Sequence, residues 1–368
     1  MDKEEIISLL KQINYPGYNR DIVSFGIIKK LSLTGTKLSL QLNLQADSEI
    51  IDNIQNSIHK ILKKEFHNLE IIIDIVSPNK SNNIIGDIKT LSKVNNIIAI
   101  ASGKGGVGKS TTTINLAAAL SKKLKIGILD LDIYGPSLPM ALGCLEKPVM
   151  NSNNLLTPIE KHDMKLMSFG FLNDEDAPTI WRGPMVSRMT EQFFAQVDWG
   201  ELDILFLDLP PGTGDIQLTL VQKIALSGAL IITTPQDLAL LDVKKASDMF
   251  SKLNTPILGV VENMSNLHLK GQVYHENGSL IDGLIKIDNK DYKIKDGIFS
   301  IDLEIFKGKG GYNESNRLDV PLLSRIPIDS ELALSTDQGT PYVYKHKNTY
   351  VTSCYDEIGS KIIQELGI

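Results

Sequence analysis

Cysteine is nearly absent: Cys144 and Cys354 are the only two in 368 residues. They stand far apart, which excludes a disulfide framework and an intrachain CxxC, and fits a chain working in a reducing cytoplasm. No apolar run reaches the ~18 residues of a membrane-spanning helix. The opening MDKEEIISLLKQ is acidic and amphipathic, unlike a secretion signal. A basic excess is missing too. Lys and Arg number 38 against 44 Asp and Glu, a net charge of −6, so no overall field draws the chain to nucleic acid or an anionic membrane. Aromatics are sparse at 6%, while 42% hydrophobic and 22% charged residues make an ordinary globular mixture. The length is enough for two domains, each with a buried core.

What is present centres on residues 97–120, IIAIASGKGGVGKSTTTINLAAAL. An apolar strand runs into a glycine-rich turn and then a helix expected to begin near Ser110. Gly103, Gly108, Lys109 and Ser110 satisfy G-x-x-x-x-G-K-[ST], the phosphate-binding loop. Such a loop curls tightly, so the N–H groups of Gly103, Lys104, Gly105, Gly106, Val107, Gly108, Lys109, Ser110 and Thr111 are candidates to cradle a nucleotide. The helix N-terminus adds unpaired N–H groups and partial positive charge. Lys109 is expected on the β/γ-phosphates and the Ser110 hydroxyl on Mg²⁺.

Two further strand ends carry carboxylates. In residues 125–139, KIGILDLDIYGPSLP, alternation places Asp130 and Asp132 on one side where the strand meets the phosphate site. Asp132 is the expected residue to orient the attacking water and to help hold Mg²⁺, with Asp130 supporting it. In residues 204–215, ILFLDLPPGTGD, Asp208 closes an apolar strand before a Pro-Pro-Gly turn, suited to binding Mg²⁺ through water. Gly212 and Gly214 leave that loop free to change shape with the γ-phosphate.

Taken in order, residues 1–78 read as a small α+β domain. Ile6, Leu9, Leu10 and Ile13 share a helical face, residues 22–33 are strand-like, and Leu38, Leu40, Leu42 and Leu44 alternate strictly, with TGTK as a hairpin turn between. A second amphipathic helix spans residues 50–62, and a last strand residues 69–76. Residues 79–92 form an expected linker, and residues 93–368 a larger domain. Its apolar runs at 97–101, 125–130, 204–208, 230–233 and 257–261, separated by helical stretches such as 184–197 and 239–253, suggest a doubly wound, mostly parallel α/β sheet. After GVVENMSNL comes a segment around residues 267–306 with hairpin signals Asn277-Gly278 and Asp296-Gly297 and alternating polarity, a small β meander.

The octapeptide GKGGVGKS, with its second lysine Lys104, resembles the deviant Walker A loop of the MinD/ParA/nitrogenase-iron-protein class. That resemblance implies a homodimer with ATP between protomers, Lys104 reaching the nucleotide of the opposite subunit. The stretches WRGPMVSRMTEQFFAQVDWGELDILFLDLPPGTGDIQLTL and ITTPQDLALLDVKKASDMF, with the D-x-D-x-x-G-P-S segment, are similar almost residue by residue to the Mrp/ApbC-type iron–sulfur cluster carrier ATPases. The N-terminal order α-β-β-α-β resembles the SufT/PaaD-type domain often fused to them; the loops YPGYN and LQADSEI carry no thiol, so docking or structural support is its expected role. The family resemblance implies a Mg²⁺-dependent ATPase, apoprotein clients or Fe–S assembly proteins as partners, an adenine contact by Asn263, and a loop near the base at RIPID (325–329). It further implies a cluster held by a C-x-x-C after E-N-M-S. Here residues 264–311 contain no cysteine, so no Fe–S ligand is identified, and His268 and His275 are read as surface histidines. Cys144 and Cys354 are read as structural. A ParA/MinD-like positioning switch is the alternative from another class, but residues 349–368 carry Asp356, Glu357 and Glu365 against Lys361 and so lack the basic amphipathic helix of a membrane-binding tail. An ATP-dependent scaffold binding its partner through the meander is the other.

Overall fold

The computed structural model describes residues 3–15, 21–24, 27–34, 36–42, 48–67, 69–75, 89–133, 135–171, 183–212, 217, 224–287 and 289–368. The expected linker up to residue 88, residues 16–19 of YPGYN, the loop at QAD, Trp181, Arg182 and Gly214 lie outside them.

The N-terminal part is built from α1 (Lys3–Leu10), β1 (Ile28–Thr34), β2 (Lys37–Leu42), α2 (Ser48–Glu65) and β3 (Glu70–Ile75). β2 is central, antiparallel to β1 and parallel to β3. Leu38, Leu40 and Leu42 are fully buried against Ile6, Leu10, Ile54, Ile58 and Leu62, whereas Lys37, Ser39 and Gln41 turn outward, as a half-buried strand requires. One expectation is corrected: the first strand starts at Ile28 rather than Ile22. The Asp21 carboxylate accepts from Val23 N and Ser24 N, both at 2.9 Å, and this Asx turn takes residues 22–24 out of the extended conformation.

A nine-stranded sheet organises the rest. In chain order its elements are β4 (Val94–Ser102), α3 (Lys109–Leu120), β5 (Ile126–Asp130), α4 (Leu138–Ala141), β6 (Ile159–Lys161), β7 (Met164–Ser168), α5 (Gly183–Gln196), β8 (Leu202–Asp208), β9 (Gly228–Thr233), α6 (Asp237–Lys252) and β10 (Ile257–Gln272). There follow β11 (Gly283–Ile287), β12 (Lys290–Ile294), β13 (Ile298–Leu303), α7 (Gly310–Leu318), β14 (Leu322–Ile328), α8 (Ser330–Asp337), α9 (Tyr342–Lys345) and α10 (Tyr350–Leu366). The spatial order is β13-β10-β9-β4-β8-β5-β7-β6, with β14 also on β10; pairing is parallel except for β6 with β7 and β13 with β10. β4, β8 and β9 are buried on both faces, which explains their unbroken apolar runs. Helix α3 sits in the core, close to α10, where Gly359 leaves room for Leu120: a Cβ there would lie 2.9 Å from Leu120 Cδ2.

The sheet is larger than the five strands expected. β7 and β14 are not legible as strands in the sequence, β7 because MKLMS holds no β-branched or aromatic residue and β14 because Arg325 and Pro327 interrupt its apolar run. RIPID is thus not a loop: Arg325 to Ile328 complete β14, and Asp329 caps α8, its carboxylate accepting from Glu331 N at 2.8 Å. Residues 89–91 form a short 3₁₀ turn, with Leu91 packed on the sheet's core and the Thr90 hydroxyl donating to Phe194 O, so the chain joins this unit before Lys93. β10 does not end at Val261. It runs on through Glu262 and Asn263, bulges at Met264 (φ 54°) and continues to Gln272, where it pairs with β13. That extension, β13 and the β11–β12 hairpin form the arm. Its turns use Gly278 (φ 83°), Asn289 (φ 63°) and the pair Asp296-Gly297 (φ 50° and 68°), the last with the two positive φ values of a type I′ hairpin. No helix among the described residues is long and apolar enough to cross a membrane.

Candidate nucleotide site

At the carboxyl end of β4 the chain leaves Ser102, turns through Gly103 to Gly108, and starts α3 at Lys109, one residue before the expected Ser110. Gly108, the residue before the helix, has φ 80° and Gly106 has φ 77°, conformations that a side chain would strain. Gly103 is required for another reason: a Cβ there would stand 2.2 Å from the backbone of Asp242 and Val243 in α6. The turn therefore presents its amides together with the positive end of α3.

Lys109 is 6% exposed and Asp208, at the end of β8, is 2% exposed, with Nζ to Oδ1 at 2.5 Å. The Thr113 hydroxyl also donates to Asp208 Oδ1, at 3.2 Å, and Lys109 Nζ lies 3.4 Å from Ser110 Oγ. β8 and β5 pair so that Asp208 stands opposite Asp130. Burial first, and then the neighbouring Asp208 charge, push the Asp130 carboxyl up to about 7, against the pull of its hydrogen bonds and of Lys109. Asp130 accepts from Asp132 N at 3.0 Å, Leu138 N at 3.3 Å and Ser168 Oγ at 2.9 Å. It thereby holds the start of the segment that carries Asp132, which is half-buried and accepts from Gly135 N at 3.2 Å. The loop after β8 is tied back by Gly212 N donating to Ser102 O at 3.1 Å.

Lys104 Nζ donates to Gln236 Oε1 at 3.1 Å, at the start of α6. Asn263 lies beneath the phosphate loop: it is 4% exposed, and its Nδ2 donates to Val107 O at 2.9 Å. Beside it, the Glu262 carboxylate accepts from Gly311 N at 2.9 Å and pairs with Arg325 Nε at 2.8 Å, while Gly310 N donates to Pro235 O at 3.0 Å. Both ends of the arm thus attach next to elements that touch the loop. Thr113, Ser168, Gln236 and Glu262 were not singled out from the sequence. Thr113 could have been, one helical turn after Lys109; Ser168 and Gln236 become visible only through strand order.

The donor set suits Mg²⁺–ATP: backbone amides and an ammonium for phosphate, and a hydroxyl and carboxylates, hard oxygen ligands, for the cation. It does not suit a cluster. Among the described residues no group of three or more His, Cys, Asp or Glu side chains could hold a metal ion. Cys144 and Cys354 are both buried, and burial raises both thiols, the opposite of what a thiolate ligand needs. His268 Nδ1 lies 2.8 Å from Asp302 Oδ1 across the β10–β13 ladder.

The family described as NUBPL iron-transfer P-loop NTPase matches residues 93–278. An iron–sulfur cluster carrier protein of Helicobacter pylori is 34% identical over 367 residues, covering 98% of this chain and 92% of its own. A nucleotide-binding protein of Archaeoglobus fulgidus, solved in complex with ADP, is 34% identical with a TM-score of 0.54, over 70% of this chain and 92% of its own. The cell-division ATPase MinD of Pyrococcus furiosus shares the fold, with a TM-score of 0.50 at 20% identity over 73% of this chain and 98% of its own.

Proposed function

The chain belongs to the NUBPL-type iron-transfer P-loop NTPase family, and from that premise we propose that it is an ATP-hydrolysing, homodimeric switch acting in iron–sulfur cluster transfer. A cytoplasmic location, expected from its scarce cysteine, belongs to the same proposal. The observation that carries it is the buried Lys109–Asp208 pair beside the glycine turn that leads into the start of α3. Phosphate oxygens replace Asp208 as the partner of Lys109, a charge-assisted contact worth about 1.5–3 kcal/mol. Ser110, Asp208 and Asp132 then hold Mg²⁺, which when bound neutralises charge on the phosphate oxygens. Asp132, set in place through Asp130, orients the attacking water. Lys104 leaves Gln236 to reach the nucleotide of the other subunit. Asn263 stays within β10 beneath the phosphate loop, from where it would contact the adenine.

The cluster is cargo in this reading. Residues 264–311 supply no thiolate and the two cysteines are buried, so the sulfur ligands come from the partner, an apoprotein client or an Fe–S assembly protein. Phosphate release from Mg²⁺–ATP by the purified chain tests the ATPase: wild type turns over and Lys109→Ala does not. A wild-type chain that neither binds ATP by calorimetry nor releases phosphate would overturn it.

A further inference from the structure

We infer that Ser168 and Gly170 are positioning residues for hydrolysis: at the end of β7 they form a seat that fixes the segment carrying Asp132. This rests on the nucleotide reading given above. One carboxylate closes both ends of that segment, Asp130 Oδ1 accepting from Asp132 N at 3.0 Å and Oδ2 from Leu138 N at 3.3 Å. The carboxylate is in turn oriented from the neighbouring strand, where register sets Ser168 opposite Asp130. The Ser168 hydroxyl is fully buried; it donates to Asp130 Oδ2 at 2.9 Å and accepts from Gly170 N at 3.0 Å. A hydroxyl has one hydrogen, and with the Gly170 amide on its acceptor side that hydrogen is directed to the carboxylate.

Gly170 completes the seat by lacking a side chain. A Cβ there would stand 2.8 Å from Pro139 Cγ and 3.1 Å from Pro136 Cβ, so both prolines rest against its backbone. Its φ is not positive, so contact rather than conformation calls for the glycine. Between the two, Phe169 is fully buried with its ring 4.5 Å from that of Phe193 in an edge contact, which roots the seat in the core. The segment is thus held at three places: its two ends on Asp130, and its prolines on Gly170. Lys109 and the glycine turn lie on another element, the start of α3. Loosening the seat therefore displaces the carboxylate that orients the attacking water and leaves the phosphate cradle in place.

The test compares wild type with Ser168→Ala and Gly170→Ala in the full chain. Each variant should lower kcat by about 10- to 100-fold, the order expected when a reacting group is misplaced by a fraction of an ångström to an ångström. KM and the calorimetric affinity for ATP should stay at the wild-type values. Because the seat works through Asp132, Ser168→Ala added to Asp132→Ala should slow turnover no further than Asp132→Ala alone. Hydrogen exchange without ligand should quicken at the amides of Asp132 and Leu138 and stay unchanged in β4 and α3. Wild-type kcat in both variants, an equal loss of ATP affinity, or a full further loss in the Asp132→Ala background would each overturn the inference. So would exchange that is unchanged at Asp132 and Leu138, or that rises throughout β4 and α3, which would make the seat a support of the whole fold. Failure of wild type to turn over ATP counts against the nucleotide reading instead, and the exchange comparison still decides whether the seat holds this segment.

Discussion

Replacing Lys109 by methionine, which keeps the stem and removes the charge, leaves Asp208 buried opposite Asp130 with no cation between β8 and α3. Breaking a buried ion pair by removing one partner costs about 3–5 kcal/mol, because the remaining charge is uncompensated. Here the loss is moderated. With Asp130 already pushed up to about 7, this facing carboxyl takes up a proton near neutral pH, so the low end of the range, about 3 kcal/mol, is expected. At about 2–4 °C per kcal/mol for a large domain, melting falls by about 6–12 °C. Asp208→Asn strands the ammonium instead and should cost a similar amount. The double variant Lys109→Met/Asp208→Leu, with both charges gone, should recover most of the melting temperature and still fail to bind ATP. Scanning calorimetry of the four proteins without nucleotide reads the coupling. A Lys109→Met chain melting within about 2 °C of wild type, or a double variant no better than the worse single, would refute the account of this pair.

Asp132→Ala should keep ATP binding and slow phosphate release by about 10²-fold or more; equal loss of both would make Asp132 a binding residue. Lys104→Ala should leave nucleotide binding to the monomer intact and abolish the ATP-dependent dimer, read by sedimentation with a non-hydrolysable analogue; a dimer with full activity would return Lys104 to its place on Gln236. For Asp130 the folded-state value lies above the ordinary 3.8, so the native chain holds a proton the unfolded chain releases. Its contribution to stability is full below about pH 4 and is lost as pH rises to about 7. Asp130→Asn should therefore flatten the pH dependence of melting between those limits, and an unchanged slope would contradict the assignment.

The phosphate loop was legible because its chemistry tolerates few residues: Gly106 and Gly108 take positive φ, Gly103 touches another backbone, and Lys109 must follow. The buried strands were legible because both faces are covered. What escaped depends on register and strand order. Asp130 meets Asp208 only because β5 and β8 are neighbours, and Ser168 joins them only through β7. Asn263 could be placed at a strand end, but not under the loop, since its partner is a backbone carbonyl that no side-chain pattern encodes. The arm's hairpins were visible in Asn277-Gly278 and Asp296-Gly297. The continuation of β10 into the arm was not, because a bulge at Met264 hides the change of pairing partner.

An ATP-driven switch of this kind handles its cluster without contributing ligands from its own chain. Anaerobic reconstitution of the purified chain with iron and sulfide, with and without Mg²⁺–ATP, followed by desalting and absorption and electron paramagnetic resonance spectroscopy, addresses it directly. The expected result is ATP turnover with no stoichiometric 4Fe–4S cluster retained, and a cluster appearing only when a thiol-bearing partner protein is added. A stable, stoichiometric cluster on the chain alone, lost in Cys144→Ser or Cys354→Ser or on changing residues of the arm, would contradict it.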